Sequence, residues 1–369
     1  GAKVVKTFAY EISGSEQQEI YDINPDLVLL CGGTDGGNKE VIIANAKHLV
    51  AIDRPFTTIV AGNKSANDDI KAIFNEAGKD VVITENVMPQ FNKLNIEPAR
   101  DAIRQLFISR IIEAKGLNIL QAMTPYKIIP TPLAVLHACE LLSKGTKTQQ
   151  GRGDLLAVDI GGATTDVYSM ASGEPTVDNT MLKGLPEPWM KRTVEGDLGM
   201  RYSLTHVFEQ IPGADNSENE YMQQVKAWVE LCTARPDTLA APGSEEEKLE
   251  EFLGRSAVSM AVERHCGRIA DVFTPLGLMH TQEGKDLMNV PSVIGIGGVL
   301  RNSRRPEEIL KGSLYDFMHP ECTKPRKPKF YLDQKYIFAS MGLLRSINPE
   351  LAFELLDKET VEIGCNATV

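Results

Sequence analysis

The stretch from residue 154 to residue 170 constrains the fold of this chain more than any other part. Its first half, Leu155–Val158, is a short apolar run typical of a buried strand, and Asp159 follows at the carboxyl end. Residues 167–170 then alternate as a second strand would. We therefore predict a β-hairpin whose tip is rich in glycine and hydroxyl groups.

The tip carries two adjacent glycines and two adjacent threonines. Gly161 and Gly162 allow positive φ angles, so a tight turn there can present backbone N–H groups to an anion. Thr164 and Thr165 add hydroxyl donors. These four residues are the predicted phosphate-binding residues.

Two aspartates flank the tip. Asp159 and Asp166 would repel phosphate oxygens unless a divalent cation lay between them, which predicts Mg²⁺ held largely through its waters. Both are therefore the predicted catalytic and metal-binding residues. The alternative is a simple turn between two strands, in which Asp166 accepts hydrogen bonds from local backbone donors.

The composition is that of a globular protein with two or three domains, because the chain has 369 residues, of which 42% are hydrophobic. A net charge of −11 argues against nucleic acid or an anionic membrane as the main partner. The six cysteines form no Cys-x-x-Cys pair, so neither a zinc site nor a disulfide framework is indicated. No apolar run approaches the roughly 20 residues of a membrane-spanning helix, and we expect a cytoplasmic protein.

Residues 27–88 alternate strand and helix patterns, which predicts a small parallel βαβαβ layer. The predicted strands are 27–31, 57–61 and 81–84, and the predicted helices are 39–50 and 68–77. A glycine-rich loop, residues 32–38, joins the first strand to the first helix. A tight turn is favoured there because the loop lacks Gly-x-Gly-x-x-Gly spacing, with phosphate binding or a partner surface as the alternatives.

Three later segments have distinct patterns. Residues 213–255 are acidic at both ends and predict a helical insertion, within which Ser244 begins a helix. A further helix is predicted over 256–272. The stretch 324–329 holds four basic residues and two prolines, so we expect a solvated face that is not helical.

The hairpin resembles the second phosphate loop of the superfamily that contains actin, the heat-shock chaperones and the sugar kinases. Three further stretches are similar to motifs of that superfamily, in the expected order: Ile128–Val135 to its first connecting helix, Val293–Arg301 to its adenosine motif, and Phe338–Leu344 to its second connecting helix. The resemblance implies an α/β protein with actin-like ATPase, ribonuclease H-like lobes and a nucleotide cleft between them. It also implies ATP and Mg²⁺ as cofactors, with Gly297 and Gly298 against the adenosine.

This resemblance implies a domain plan as well. The first lobe is expected over residues 1–150, with the βαβ layer as an insertion near 27–88, and the second over 151–345, with the helical insertion near 213–255. Residues 346–369 are expected to form a tail. The superfamily's first phosphate loop does not precede the second one here, so we expect the first lobe to be incomplete at its N-terminus.

A glycine-bearing turn borders the ribose in related nucleotide sites. On that resemblance Glu195, Gly196 and Asp197 are assigned to the sugar, since a carboxylate suits a vicinal diol. The alternative, with equal weight, is that Asp197 caps a helix N-terminus.

At a finer level the chain resembles the glutamate mutase ancillary proteins, the MutL-type reactivating factors of adenosylcobalamin-dependent mutases. Gly32–Glu40, Asp159–Asp166 and Glu195–Arg201 carry this likeness. It implies a chaperone-like protein, a weak ATPase, that uses ATP to drive release of damaged cobalamin from the mutase. The implied partners are the mutase subunits, and a homo-oligomer is compatible with the sequence.

Two other functions stay open on the sequence alone. One is a small-molecule kinase of the same superfamily, which would need an acidic base facing a substrate pocket. The other is a non-catalytic module that binds a partner through the layer at residues 27–88.

Overall fold

The computed structural model describes residues 4–114, 118–126, 128–184, 187–214, 216, 218–275 and 277–365. The chain divides into two compact units, Gly1–Ile128 and Ile129–Val369. This division falls ahead of the helix that begins at Thr131, whereas the sequence placed a boundary near residue 150. Within the described ranges, no helix is both long and apolar enough to cross a bilayer.

The first unit contains a parallel three-stranded sheet. The helices and strands of this unit are α1 (Gly14–Ile23), β1 (Leu27–Leu30), α2 (Glu40–Val50), β2 (Thr57–Val60), α3 (Asn67–Glu76), β3 (Val81–Ile83), α4 (Glu97–Ala114) and α5 (Asn118–Ala122). The sheet has the order β1-β2-β3, and both pairings are parallel. The predicted βαβαβ layer is therefore confirmed.

Helices α2 and α3 cover this sheet because each has an apolar face. Ile42 and Leu49 of α2 and Ile70 and Phe74 of α3 are buried in one core with Val60 of β2. The spacings of seven and four residues place each pair on one side of its helix.

In its described residues the second unit contains eight α-helices and nine strands. Its helices are α6 (Thr131–Lys144), α7 (Leu204–Glu209), α8 (Glu220–Ala234), α9 (Glu245–His265), α10 (Gly298–Asn302), α11 (Pro306–Leu310), α12 (Phe338–Leu344) and α13 (Pro349–Glu359). Its strands are β4 (Leu155–Ile160), β5 (Thr165–Met170), β6 (Thr180–Lys183), β7 (Met190–Glu195), β8 (Arg268–Thr274), β9 (Gly277–Glu283), β10 (Ser292–Ile296), β11 (Lys329–Asp333) and β12 (Thr360–Cys365).

A six-stranded sheet of order β12-β11-β10-β4-β5-β7 forms the centre of the second unit. Strands β4, β10 and β11 are parallel, while β5, β7 and β12 run antiparallel to their neighbours. Strands β4 and β5 pair from Leu155 with Met170 to Ile160 with Thr165, so the predicted hairpin is confirmed.

Both faces of this sheet are covered, which explains the continuous apolar run in β4. Leu155 and Ala157 pack in a core with residues of α6, α12 and α13, whereas Leu156 and Val158 pack on the opposite side with residues of α7, α8 and α9. Because neighbouring side chains on a strand point to opposite faces, a strand between two helical layers must be apolar throughout. A second sheet, of order β6-β9-β8, is largely exposed.

The prediction of a separate helix over 256–272 was wrong. Ser244 does begin a helix, with its Oγ accepting a hydrogen bond from the N–H of Glu247, but that helix continues unbroken to His265. Strand β8 then begins at Arg268 and pairs with β9. Gly267 allows this close approach, because a Cβ on Gly267 would lie 2.8 Å from the Glu283 carbonyl oxygen of β9. The apolar residues beyond 265 therefore belong to a strand.

The basic stretch 324–329 also departs from the prediction at its first residue. Lys324 is buried, and its Nζ lies 2.8 Å from Glu263 Oε1 and 2.9 Å from Ser259 Oγ of α9. The ion pair and the hydroxyl compensate the ammonium group for its lost hydration.

We expect Lys324→Ala to lower the free energy of unfolding by about 3 kcal/mol, because it leaves Glu263 without its cation in a largely buried place. Lys327→Ala, at an exposed position of the same stretch, should change it by about 0.5 kcal/mol or less. Urea denaturation of both variants measures the difference. Equal losses would show that the buried ion pair does not stabilise the fold.

Candidate functional site

The chemically distinctive residues of the second unit meet at one edge of its central sheet. Asp159 lies near the carboxyl end of β4 and pairs with Asp166 across the hairpin and with Ile296 of β10 on its other side. Gly297 follows β10, and Asp333 is the last residue of β11. Because β4, β10 and β11 are parallel, their carboxyl ends lie together, and three carboxylates share this edge.

The hairpin tip is a hydrogen-bonded turn that leaves several backbone N–H groups without an acceptor in the described part of the chain. The N–H of Gly161 donates to the Thr164 carbonyl oxygen at 2.9 Å, which closes the turn. The N–H groups of Gly162, Ala163 and Thr164 have no acceptor among the residues that the structure describes. Three successive free N–H groups in a turn form an anion-binding concavity.

The two tip glycines do not need the positive φ angles that the sequence suggested. Neither Gly161 nor Gly162 lies in the left-handed region. A Cβ on Gly161 would lie 3.3 Å from the Thr164 carbonyl oxygen, so close packing is its constraint, while a Cβ on Gly162 would make only ordinary contacts. That part of the prediction was wrong.

The two tip threonines have different surroundings. Thr165 is buried, and its hydroxyl donates to the Leu198 carbonyl oxygen at 2.6 Å. The Thr164 hydroxyl stays at the turn and donates to Asp166 Oδ2 at 3.2 Å. Only Thr164 therefore keeps a hydroxyl beside the free N–H groups, whereas the sequence predicted both.

Asp166 has a cationic partner that the sequence did not indicate. Arg192 of β7 approaches one carboxylate oxygen, Oδ1, with Nε at 2.9 Å and Nη2 at 2.7 Å. Its guanidinium also lies 5.9 Å from the centre of the Tyr168 ring. Arg192 thus compensates part of the charge of Asp166 in the folded chain.

Asp159 has no ion pair among the described residues. Burial, and then the charges of Asp166 and Asp333, raise its pKa to about 6, and Arg192 offsets only part of this effect. Asp333, which the sequence analysis missed, accepts hydrogen bonds from the N–H groups that begin α12, and burial raises its pKa as well. A carboxylate that titrates near neutral pH in such a cluster is typical of a functional site.

The oxygen donors at this edge suit Mg²⁺, which prefers carboxylates and retained waters. No group of three or more histidine, cysteine, aspartate or glutamate side chains is arranged to hold a metal ion in the described part of the chain. A cation at Asp159 and Asp166 would therefore depend on water ligands for most of its coordination.

The predicted ribose residues are held by a single arginine. Arg264 of α9 contacts both carboxylate oxygens of Asp197, at 2.7 and 2.8 Å, and Glu195 Oε2 at 2.7 Å. The carbonyl oxygen of Gly196 accepts from the Ser203 hydroxyl at 2.8 Å. A sugar would have to compete with Arg264 for these carboxylates. The alternative, in which Asp197 caps a helix, was wrong, because Ser203 and not Asp197 precedes helix α7.

This arrangement predicts a pH effect. The Arg264 hydrogen bonds lower the pKa of Asp197 from 3.8 to about 2, so the pair stabilises the fold above pH 4 and this contribution is lost as pH falls towards 2. We expect the free energy of unfolding of Arg264→Gln to fall less than that of wild type between pH 4 and pH 2, as measured by acid denaturation. Arg268→Gln, whose side chain is more exposed and forms only a long ion pair with Glu321, is the matched control and should keep the wild-type curve.

Gly297 and Gly298 begin α10 directly beside Asp159. Gly297 has a φ of +100°, and a Cβ there would lie 2.7 Å from Asp159 Oδ1 and closer still to the Ile160 carbonyl oxygen. Only glycine fits this position. A Cβ on Gly298 would meet a single atom, Asn302 Nδ2, at 3.9 Å.

A cavity of about 90 Å³ adjoins α10. Val299 and Asn302 line one side of it, and Glu247, Glu250 and Glu251 of α9 line another. Each of these glutamates pairs with an arginine, so the lining carries compensated charge.

Comparison with known proteins agrees with the motifs. The family model described as "MutL protein" matches residues 1–360. The protein named "Protein MutL" from Clostridium tetanomorphum is 44% identical over 366 residues, which cover 98% of this chain and 79% of the relative. The chain belongs to the MutL family, as its motifs predicted.

Proposed function

We propose that this protein is an ATP-binding, chaperone-like reactivating factor for an adenosylcobalamin-dependent mutase of the glutamate mutase type. The observation that carries the nucleotide part is the juxtaposition of Asp159, Asp166 and the free N–H groups of residues 162–164. Membership of the MutL family, together with the resemblance of its motifs to mutase ancillary proteins, supports the mutase as partner.

Each group at the sheet edge has a role in this proposal. The free N–H groups and the Thr164 hydroxyl would hold phosphate oxygens, and Gly297 would keep the start of α10 packed against Asp159. Asp159 and Asp166 would hold Mg²⁺ through its waters, and the ion would neutralise charge on the phosphates. Asp159 would also accept a proton from an attacking water.

The architecture of the second unit supports an actin-like ATPase lobe. Strand β4 forms an antiparallel hairpin with β5 on one side and is followed on its other side by the parallel strands β10 and β11. At their carboxyl ends, β4 and β11 carry an aspartate and β10 is followed by glycine. The cavity beside α10 is lined by Val299, the residue that follows Gly298, and the resemblance places adenosine at Gly298.

A partner-binding module without catalysis is the second candidate. The β6-β9-β8 sheet exposes several large apolar side chains, which is a feature of interaction surfaces. They are Met181, Leu182, Val272, Phe273 and Leu278. This function would require no nucleotide.

One reactivation assay separates the two. A glutamate mutase-type holoenzyme inactivated during turnover is mixed with this protein, Mg-ATP and fresh adenosylcobalamin, and its activity is followed. We expect recovery with wild type and none with Asp166→Asn or without ATP. Recovery that is equal without ATP would favour the binding module, and no recovery under any condition would contradict the reactivating role.

A further inference from the structure

Three acidic side chains meet at the sheet edge, and among the described residues one guanidinium, that of Arg192, contacts any of them there. Asp333 accepts hydrogen bonds from the N–H groups of Ile337 and Phe338, while Asp159 has no ion pair among the described residues. Arg192 is bound to Asp166. Arg192 is therefore the cation in direct contact with the cluster, while Arg301 acts on Asp333 only through its charge.

The way Arg192 binds Asp166 leaves it free to exchange partners. Nε and Nη2 both contact Oδ1, while Oδ2 is taken by the Thr164 hydroxyl. This contact is not bidentate: in the stronger bidentate arrangement, two guanidinium nitrogens donate to the two different oxygens of a carboxylate. The Arg192 side chain is 18% exposed, so part of it can be reached from solvent.

A metal ion and Arg192 would compete for the same oxygens. Both carboxylate oxygens of Asp166 are engaged in the ligand-free protein, and these are the atoms that would accept hydrogen bonds from the waters of Mg²⁺. A phosphate chain that arrives with the metal offers the guanidinium oxygens of higher charge and matching geometry.

We propose that Arg192 is the internal counter-ion of the empty site and that it exchanges Asp166 for the phosphate chain when a magnesium nucleotide binds. This inference rests on the proposed nucleotide function. The exchange releases Asp166 to the metal waters and frees the Thr164 hydroxyl for a phosphate oxygen. Arg192 is thus a positioning residue that couples occupation of the phosphate site to formation of the metal site.

The inference predicts opposite changes for the metal alone and for the nucleotide. In Arg192→Gln the competing cation is gone, so Mn²⁺ without nucleotide should bind roughly tenfold more tightly than to wild type. Mg-ATP should bind roughly tenfold more weakly, because the phosphate chain loses a cation. A purely structural ion pair would weaken both.

Mn²⁺ binding by electron paramagnetic resonance and Mg-ATP binding by calorimetry give these two readouts. Arg345→Gln removes a comparable ion pair, with Glu140, away from the site and should match wild type in both. Arg192→Lys keeps the charge but loses the two-nitrogen contact, so its Mn²⁺ affinity should lie between those of wild type and Arg192→Gln. It also serves as the test variant if Arg192→Gln does not fold.

The outcomes separate this inference from the proposed function. Unchanged or weaker Mn²⁺ binding by folded Arg192 variants would overturn the counter-ion role, even if wild type binds Mg-ATP. Failure of wild type to bind Mg-ATP would overturn the nucleotide function and the exchange with phosphate, while the Mn²⁺ comparison would still decide the counter-ion role.

Discussion

Asp159→Asn is expected to stabilise the ligand-free protein at neutral pH while abolishing magnesium-dependent nucleotide binding. Burial and the neighbouring carboxylates raise the pKa of Asp159 from 3.8 to about 6. The folded state therefore holds this proton more tightly than the unfolded state does, so the stabilisation is complete below pH 4 and is lost as pH rises through 6. An uncharged side chain removes that loss of stability, which is about 3 kcal/mol at pH 7.

Urea denaturation between pH 4 and pH 8 measures this effect. The stability difference between Asp159→Asn and wild type should grow across the window from pH 4 to pH 6 and then stay level. Asp53→Asn, at an exposed position of the first unit, should follow wild type throughout. A variant that tracks wild type in its pH dependence, or that still binds Mg-ATP with wild-type affinity, would contradict the role given to Asp159.

Gly297→Ala should damage both the fold and the site, whereas Gly298→Ala should leave the stability of the fold nearly unchanged. A Cβ on Gly297 would overlap the Ile160 carbonyl oxygen and approach Asp159 Oδ1 to 2.7 Å, at a φ of +100° that L-residues rarely adopt. We expect a loss of about 3 kcal/mol in the free energy of unfolding and a fall of at least tenfold in Mg-ATP affinity.

The neighbouring glycine is the matched control. Gly298 begins α10 with a negative φ, and its Cβ would make one contact at 3.9 Å, so alanine should leave stability within about 0.5 kcal/mol of wild type. Thermal denaturation and calorimetry of the two variants test the comparison. Equal behaviour would show that the backbone at Gly297 does not shape the site.

The sequence revealed the elements whose signals are local. The hairpin at β4 and β5 follows from an apolar run, a glycine-rich tip and an alternating second strand, all within seventeen residues. The parallel layer of the first unit follows from alternating strand and helix periods. Such patterns determine secondary structure without knowledge of distant contacts.

The side chains that set the electrostatics of the site could not be predicted in this way. Arg192 lies 26 residues from Asp166, and Arg264 lies 67 residues from Asp197, so each pair depends on which strands and helices become neighbours. The sequence around Lys324 predicts a surface lysine, because only the fold shows that Glu263 of α9 lies beside it. Glu195 and Asp197 looked available for a sugar for the same reason, because nothing nearby in sequence reveals Arg264.

Isothermal titration of Mg-ATP into this chain, with Asp166→Asn in parallel, measures whether the carboxylate edge binds a magnesium nucleotide. We expect saturable binding by wild type, no binding once Mg²⁺ is removed, and no binding by the variant. No binding by wild type, or equal binding by wild type and Asp166→Asn, would contradict the assignment of a magnesium-nucleotide site to the carboxylate edge of the central sheet.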